Sequence, residues 1–242
     1  METGSKQNSL SISSAIVIAG VLIAGAIFLS GNPKTVTGTQ PQAVPPVGAA
    51  QASDLDKMRP ISTEDHIRGN PDAPIKIVEY SDTECPFCKR FHETMKQVMD
   101  EYGKDGRVAW VYRNFPLDQL HPKARSEAVA LECANDQGGN DSFWAYTDRL
   151  YEVTPSNNGL DPAELQNIAA YVGLNMAKFN TCLTSGKFTK HIEDSVQDAA
   201  ATGGNGTPWS IVVAKNGKKY PLSGAQPYSA VKQLIDLALQ GK

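Results

Sequence analysis

The chain has no block of basic residues, few cysteines and a single long apolar run, and each scarcity removes a class of function. A net charge of −3 with no Lys/Arg cluster leaves no electrostatic footing for nucleic acid, which calls for a basic face or stripe. No cysteine follows the apolar run, which argues against a lipid anchor. Of the four cysteines only Cys85 and Cys88 lie close together, whereas a closed zinc site commonly takes two close pairs. Cys133 and Cys182 stand alone, His92 lies just beyond the pair, and His66, His121 and His191 show no ligand spacing. No metal and no cofactor is expected. What remains is ordinary globular composition, 40% hydrophobic and 20% charged, in a chain long enough to bury a core.

Three regions precede the body. Residues 1–12 are a short polar tail. Ala15–Leu29, "AIVIAGVLIAGAIFL", is uncharged, and with Ser13, Ser14, Ser30 and Gly31 it reaches nineteen residues, near the ~20 that cross a bilayer as helix. Residues 13–30 therefore read as a transmembrane anchor. A cleaved signal segment is the alternative, with Ala24-Gly25-Ala26 as its small-residue site; cleavage there would leave Ile27-Phe28-Leu29 as an apolar start. Lys6 and the amino terminus before the run, against Lys34 alone after it, lean towards a cytoplasmic N-terminus and an exported body. Residues 31–58, rich in Pro, Gly, Thr, Gln and Ala, read as a flexible linker. A coil of ~30 residues spans ~30 Å on average, which keeps the body near the membrane.

The body, 59–242, opens with a lead-in to Asn70 that the pattern does not assign. "APIKIVEY" (Ala73–Tyr80) reads as a buried strand. "CPFCKRFHETMKQVMDEYG" has Phe87, Phe91, Met95 and Val98 at helical spacing and stops at Gly103. "RVAWVYRNFP" (Arg107–Pro116) is a second strand, giving a β-α-β unit with a parallel crossover. Helices follow over His121–Ala134, from Asp141 through "DSFWAYTDRLYEV", from Asp161-Pro162 to Gly173, and in two further stretches to Gly203. Phe143, Trp144 and Tyr146 read as core aromatics. "TPWSIVVAKNGKKYPLSG" then reads as a hairpin turning at Asn216-Gly217, and a last helix puts Val231, Leu234, Ile235 and Ala238 on one face.

A strand, a Cys-x-x-Cys at a helix start, a helical insertion and a Thr-Pro leading into an antiparallel hairpin resemble the thioredoxin superfamily. "GNPDAPIKIVEYSDTECPFC" and the insert, about 118–186, narrow the resemblance to the DsbA-like disulfide oxidoreductases. The expected fold class is α/β, a thioredoxin-like β-α-β … α-β-β-α fold with an inserted helical subdomain, plus an N-terminal transmembrane helix. Cys85 falls at the helix N-cap and Pro86 at the first helical position, so free N–H groups and the positive dipole end favour its thiolate. The resemblance implies Cys85 as nucleophile, Cys88 as resolving thiol and Glu79 as a buried proton relay, against a plain strand-end carboxylate. Phe87 departs from the best-known member, which has a histidine there; a phenyl ring donates neither charge nor hydrogen bond, so a milder oxidant is expected. Asp82 and Glu84 read as exposed loop charges that raise the Cys85 pKa modestly.

The same resemblance implies a cis peptide at Thr207-Pro208, facing the cysteines and binding substrate through the Thr207 backbone. Trp209 reads equally as a peptide-facing aromatic or as core. Cys133 and Cys182 are expected to form a structural disulfide, with two buried thiols as the alternative. The implied activity is extracytoplasmic disulfide donation to unfolded or reduced exported proteins, at the cell membrane on the periplasmic or extracellular side. A quinone-linked membrane oxidase is the implied redox partner. A reductase or isomerase with the same site, and a non-catalytic thiol metal carrier or peptide-binding module, are the other readings.

Overall fold

A computed structural model describes residues 52–241. The expected membrane segment 13–30 and the linker up to residue 51 lie outside the described residues. Among the described residues no helix is long and apolar enough to cross a membrane. The expected linker overlaps the folded body at its end. A one-turn helix, α1 (Ala52–Leu55), is followed by Met58, and the side chains of Leu55 and Met58 are buried.

In chain order the body continues with β1 (His66–Gly69), β2 (Ile75–Ser81) and α2 (Pro86–Val98), which runs into a π-helical turn, Met99–Gly103. Then come β3 (Val108–Asn114), α3 (Ala124–Val153), α4 (Glu164–Tyr171), α5 (Met176–Thr184) and α6 (Thr189–Ala201). The chain closes with β4 (Trp209–Ala214), β5 (Lys219–Ser223) and α7 (Tyr228–Leu239). The strands form one sheet in the order β1-β3-β2-β4-β5, in which only β2 and β3 are parallel. This is the thioredoxin-like order with a helical insertion.

β2 lies at the centre of the sheet, and its alternation feeds two cores. Ile75 and Ile77 face the larger core with Phe91, Met95 and Val98 of α2, Trp110 and Tyr112 of β3, and Val231 and Ile235 of α7. Val78 and Tyr80 face the smaller one with Leu55, Ala199 and Ile211. The period of two therefore sends Glu79 into the larger core, on the α2 side. Phe87 leaves the expected apolar stripe and is 53% exposed, in the first turn of α2.

The unassigned lead-in contains β1, a four-residue edge strand paired antiparallel to β3. Its polar sequence hides it, because His66 and Arg68 find partners on α3 rather than water. The two helices expected from His121 and from Asp141 are both present as the two halves of α3, separated by a kink of non-helical backbone at Gly138 and Gly139, where glycine supplies a φ of 65° at Gly139. Beside that break the Asn140 side chain accepts from the Ile67 N–H and donates to its carbonyl, clamping β1 onto α3.

Candidate active site

β2 ends at Ser81, and the loop Asp82–Cys85 delivers the chain to α2. Cys85 is the extended N-cap (φ −77°, ψ 121°), its side chain makes no capping bond, and Pro86 opens the helix. The free N–H groups of the first turn therefore look at the Cys85 sulfur. The two cysteines are unbonded. Cys88, one turn on, is fully buried while Cys85 keeps 4% exposure. The Asp82 N–H donates to Cys88 Sγ at 3.4 Å. Facing them, Thr207-Pro208 is cis, and the Cys85 thiol donates to the Thr207 carbonyl at 3.4 Å. The sequence-named Cys85, Cys88, Thr207 and Pro208 thus converge from two loops at one end of the sheet.

The two thiols are driven apart in acidity. A hydrogen bond from the Cys88 thiol is the main reason that Cys85 is lowered to about 6; burial opposes it, and Thr207 and the Cys88 and Phe87 N–H groups add to it. Burial, then the bond to Cys85 and its charge, push Cys88 well above the ordinary thiol range. The pair is thus arranged to hold one negative charge, on Cys85.

Glu79 is 1% exposed. Burial raises its carboxyl to about 7, against hydrogen bonds from Ser81 and Trp110. Ser81 Oγ donates to Glu79 Oε1 at 2.7 Å, and Trp110 Nε1 donates to Oε2 at 2.8 Å. Ser81 Oγ also lies 3.0 Å from the Tyr151 hydroxyl. The Glu79 charge helps to raise Cys88, so proton and thiol are linked.

Asp82 and Glu84 are not the exposed loop charges expected; both are buried. The helical insert covers the loop and supplies their partners. Asp82 accepts from the Leu117 and Glu84 N–H groups and meets His121 Nδ1 at 3.0 Å. Glu84 accepts from the Asn158 and Leu160 N–H groups, and its own carbonyl accepts from Asn157. Ser156, Asn157 and Asn158 all have positive φ, so a tightly turned segment of the insert grips the residue before Cys85. Trp209, placed with the substrate-binding residues, is a core residue here: it is 3% exposed, and its Nε1 donates to Thr202 Oγ1 at 3.0 Å.

Away from the thiols, Cys133 on α3 and Cys182 on α5 are joined, with Cα atoms 5.8 Å apart. His92 is buried between Trp110 and Tyr151, with Nε2 2.7 Å from Asp148 Oδ1. His66 and His191, which have no ligand spacing in sequence, come together around Glu132. Those residues sit on three elements, so no local motif could announce them.

Fold and site together define a thioredoxin-like domain built like the DsbA-type thiol–disulfide oxidoreductases. Residues 62–237 match the family described as Thioredoxin, and the chain belongs to that family. Pseudomonas aeruginosa DsbA2 is similar in structure, with TM-score 0.62 and 26% identity over 75% of this chain and 98% of that one. A thioredoxin-like oxidoreductase from Silicibacter pomeroyi has TM-score 0.61 and 26% identity over 79% and 99%. Oxidised BdbD from Bacillus subtilis, at 21% identity and TM-score 0.66 over 76% and 97%, shares the fold. Among curated proteins, the Na(+)/H(+) antiporter NhaA 1 of Mycolicibacterium gilvum is 36% identical over 169 residues, 69% of this chain and 26% of that protein. The chain spans about a quarter of the length of such relatives.

Proposed function

We propose that the protein donates the Cys85–Cys88 disulfide to thiols of exported, unfolded or reduced proteins. The observation that carries the proposal is the opposed acidity of two adjacent thiols beside the cis Thr207-Pro208 loop. In the oxidised enzyme a substrate thiolate attacks Cys85 Sγ. The enzyme S–S bond breaks, a mixed disulfide forms, and the Cys88 sulfur leaves with the electron pair. Buried and strongly basic, Cys88 takes up a proton, and Glu79, titrating near 7, is placed to supply it. A second substrate thiolate then attacks the substrate sulfur of the mixed disulfide and releases Cys85 as thiolate. The substrate dithiol is oxidised by two electrons and the enzyme disulfide is reduced to the dithiol. Thr207 offers its backbone to the substrate segment as an added strand.

A pKa of about 6 does little for attack by Cys85 itself. Relative to a free thiol near 8.5, the thiolate fraction at pH 7 rises about thirtyfold, while a Brønsted slope of ~0.5 returns about eighteenfold. The gain lies in leaving-group ability and in the stability of the reduced enzyme, both of which favour passing the disulfide on. In the same proposal residues 13–30 anchor the body on the extracytoplasmic side and a quinone-linked membrane oxidase restores the disulfide. The Cys133–Cys182 bond fits an oxidising compartment.

Equilibrating the full chain with glutathione buffers, with the Cys85/Cys88 redox state read by thiol trapping, tests the direction. A potential of about −120 to −180 mV fits donation or isomerisation, which turnover on a reduced, unfolded substrate and on a scrambled one separates. A value near −270 mV makes the protein a reductase. Cys85→Ser should abolish exchange; a variant that lacks exchange yet leaves the protein's function intact would favour the non-catalytic metal-carrier or peptide-binding readings.

A further inference from the structure

We infer that His66, His191 and Glu132 form a binding site for a divalent transition-metal cation of the zinc type, separate from the thiols. The ligand atoms arrive from three elements: β1 supplies His66, α3 Glu132 and α6 His191. His66 Nε2 lies 2.9 and 3.1 Å from the two Glu132 oxygens, and His191 Nε2 lies 3.6 Å from Oε1. A tetrahedral zinc ion with bonds of ~2.0–2.1 Å sets its ligand atoms about 3.3 Å apart. The observed 2.9 and 3.6 Å bracket that spacing, and all the ligand atoms lie within 4.8 Å of one another.

The surroundings fit a metal centre. The Asn114 amide donates to Glu132 Oε1 at 2.7 Å, an outer partner that orients a ligating carboxylate. Stacking on Phe143, with ring centroids 3.5 Å apart, fixes the His66 ring. His66 and Glu132 side chains are almost wholly buried, while His191 is 29% exposed. The ion thus has a route in on the solvent-facing side, at His191. Two imidazoles and one carboxylate match zinc and its transition-metal neighbours, whereas calcium and magnesium take oxygen ligands. A bound ion would tie edge strand β1 to α3 and α6, beside the Cys133 disulfide.

The test uses the full chain carrying C85S and C88S, so that thiolates do not compete, and titrates it with zinc chloride. One zinc per chain by calorimetry is expected. Unfolding should shift up by about 5–10 °C at a hundredfold excess over Kd. Calcium chloride should produce neither effect. H191A, at the exposed ligand, and E132Q should each keep the fold by circular dichroism and weaken zinc binding at least tenfold. No saturable zinc binding, zinc binding unchanged in folded H191A, or calcium bound in preference to zinc would each overturn the inference.

Discussion

Trp110 on β3 donates its indole N–H to Glu79 on the neighbouring strand β2, at 2.8 Å, and so holds a buried carboxyl within electrostatic reach of Cys88. Burial raises that carboxyl from 4.5 to about 7. Between those values the folded protein binds more protons than the unfolded chain, so Glu79 lowers stability as pH rises through the window. At ~1.4 kcal/mol per unit the loss approaches about 3 kcal/mol above pH 7. Glu79→Gln should therefore leave the reduced protein little changed near pH 4.5 and more stable at pH 8, read by urea unfolding. The same variant should form mixed disulfides with substrate thiols at least about tenfold more slowly, because that is the step in which Cys88 leaves and takes up a proton. Equal stability changes at both pH values would sink the assignment.

Much of this site is legible in the chain because it is local. Cys85, Pro86 and Cys88 are neighbours on a strand-to-helix junction, and the N-cap geometry follows from Pro at the first helical position. The hairpin is equally local, with Gly217 taking the positive φ that its turn needs. What escaped depends on distant partners. Asp82 and Glu84 look like surface charges until the insert, some 35–76 residues away in sequence, is laid over them. β1 carries no apolar alternation because its polar side chains are paid for by α3. Trp209 was undecidable because core and peptide surface both favour an aromatic after the cis-proline; its bond to Thr202 decides it.

Cys85 should alkylate with a pH midpoint near 6 in the reduced protein, following the hydrogen bonds from the Cys88 thiol and from the Cys88 and Phe87 N–H groups. Cys88 should stay unmodified while the fold persists, being fully buried. Cys88→Ala removes the largest contribution and should move the midpoint up. Phe87→His adds a titratable donor and should move it down and raise the reduction potential. Iodoacetamide kinetics read by mass spectrometry check each direction; a Cys85 midpoint near 8.5 would dismiss the account.

The Cys133–Cys182 bond closes a separation of 49 residues. Constraining a loop of that size stabilises by about 4 kcal/mol in the chain-entropy account. Cys133→Ala with Cys182→Ala should cost up to about that much in denaturant unfolding. The Cys85 alkylation midpoint should not move, because neither residue contributes to its acidity. A shifted midpoint would mean that the bond shapes the site itself.

Arg113 carries the heaviest buried charge traffic in the body. Its guanidinium donates to both Asp65 oxygens at 2.7 and 3.0 Å, to Asp198 at 2.7 Å and to the Tyr80 hydroxyl at 3.1 Å. It thereby ties β3 to β2, to α6 and to the chain leading into β1. Arg113→Met leaves the buried Asp65 and Asp198 with the partly exposed Arg59 beside them but without the buried guanidinium that both accept from, and breaking a buried pair costs up to about 3–5 kcal/mol. The pH dependence separates charge from packing. Burial pushes Asp65 up, but Arg113, by hydrogen bond and charge, and then the Ser62 N–H and Arg59 carry it below 3.8. With Arg113 present, that stabilisation holds above the unfolded value and is lost as pH falls through the folded one. Without it, only the Ser62 N–H and Arg59 oppose burial, so the Asp65 carboxyl shifts up and protonates more readily in mild acid, relieving the weakly paired charge. The cost of Arg113→Met, measured by urea unfolding, should therefore be markedly smaller at pH 4.5 than at pH 7. A cost that does not change with pH would assign the loss to packing rather than to the ion pairs.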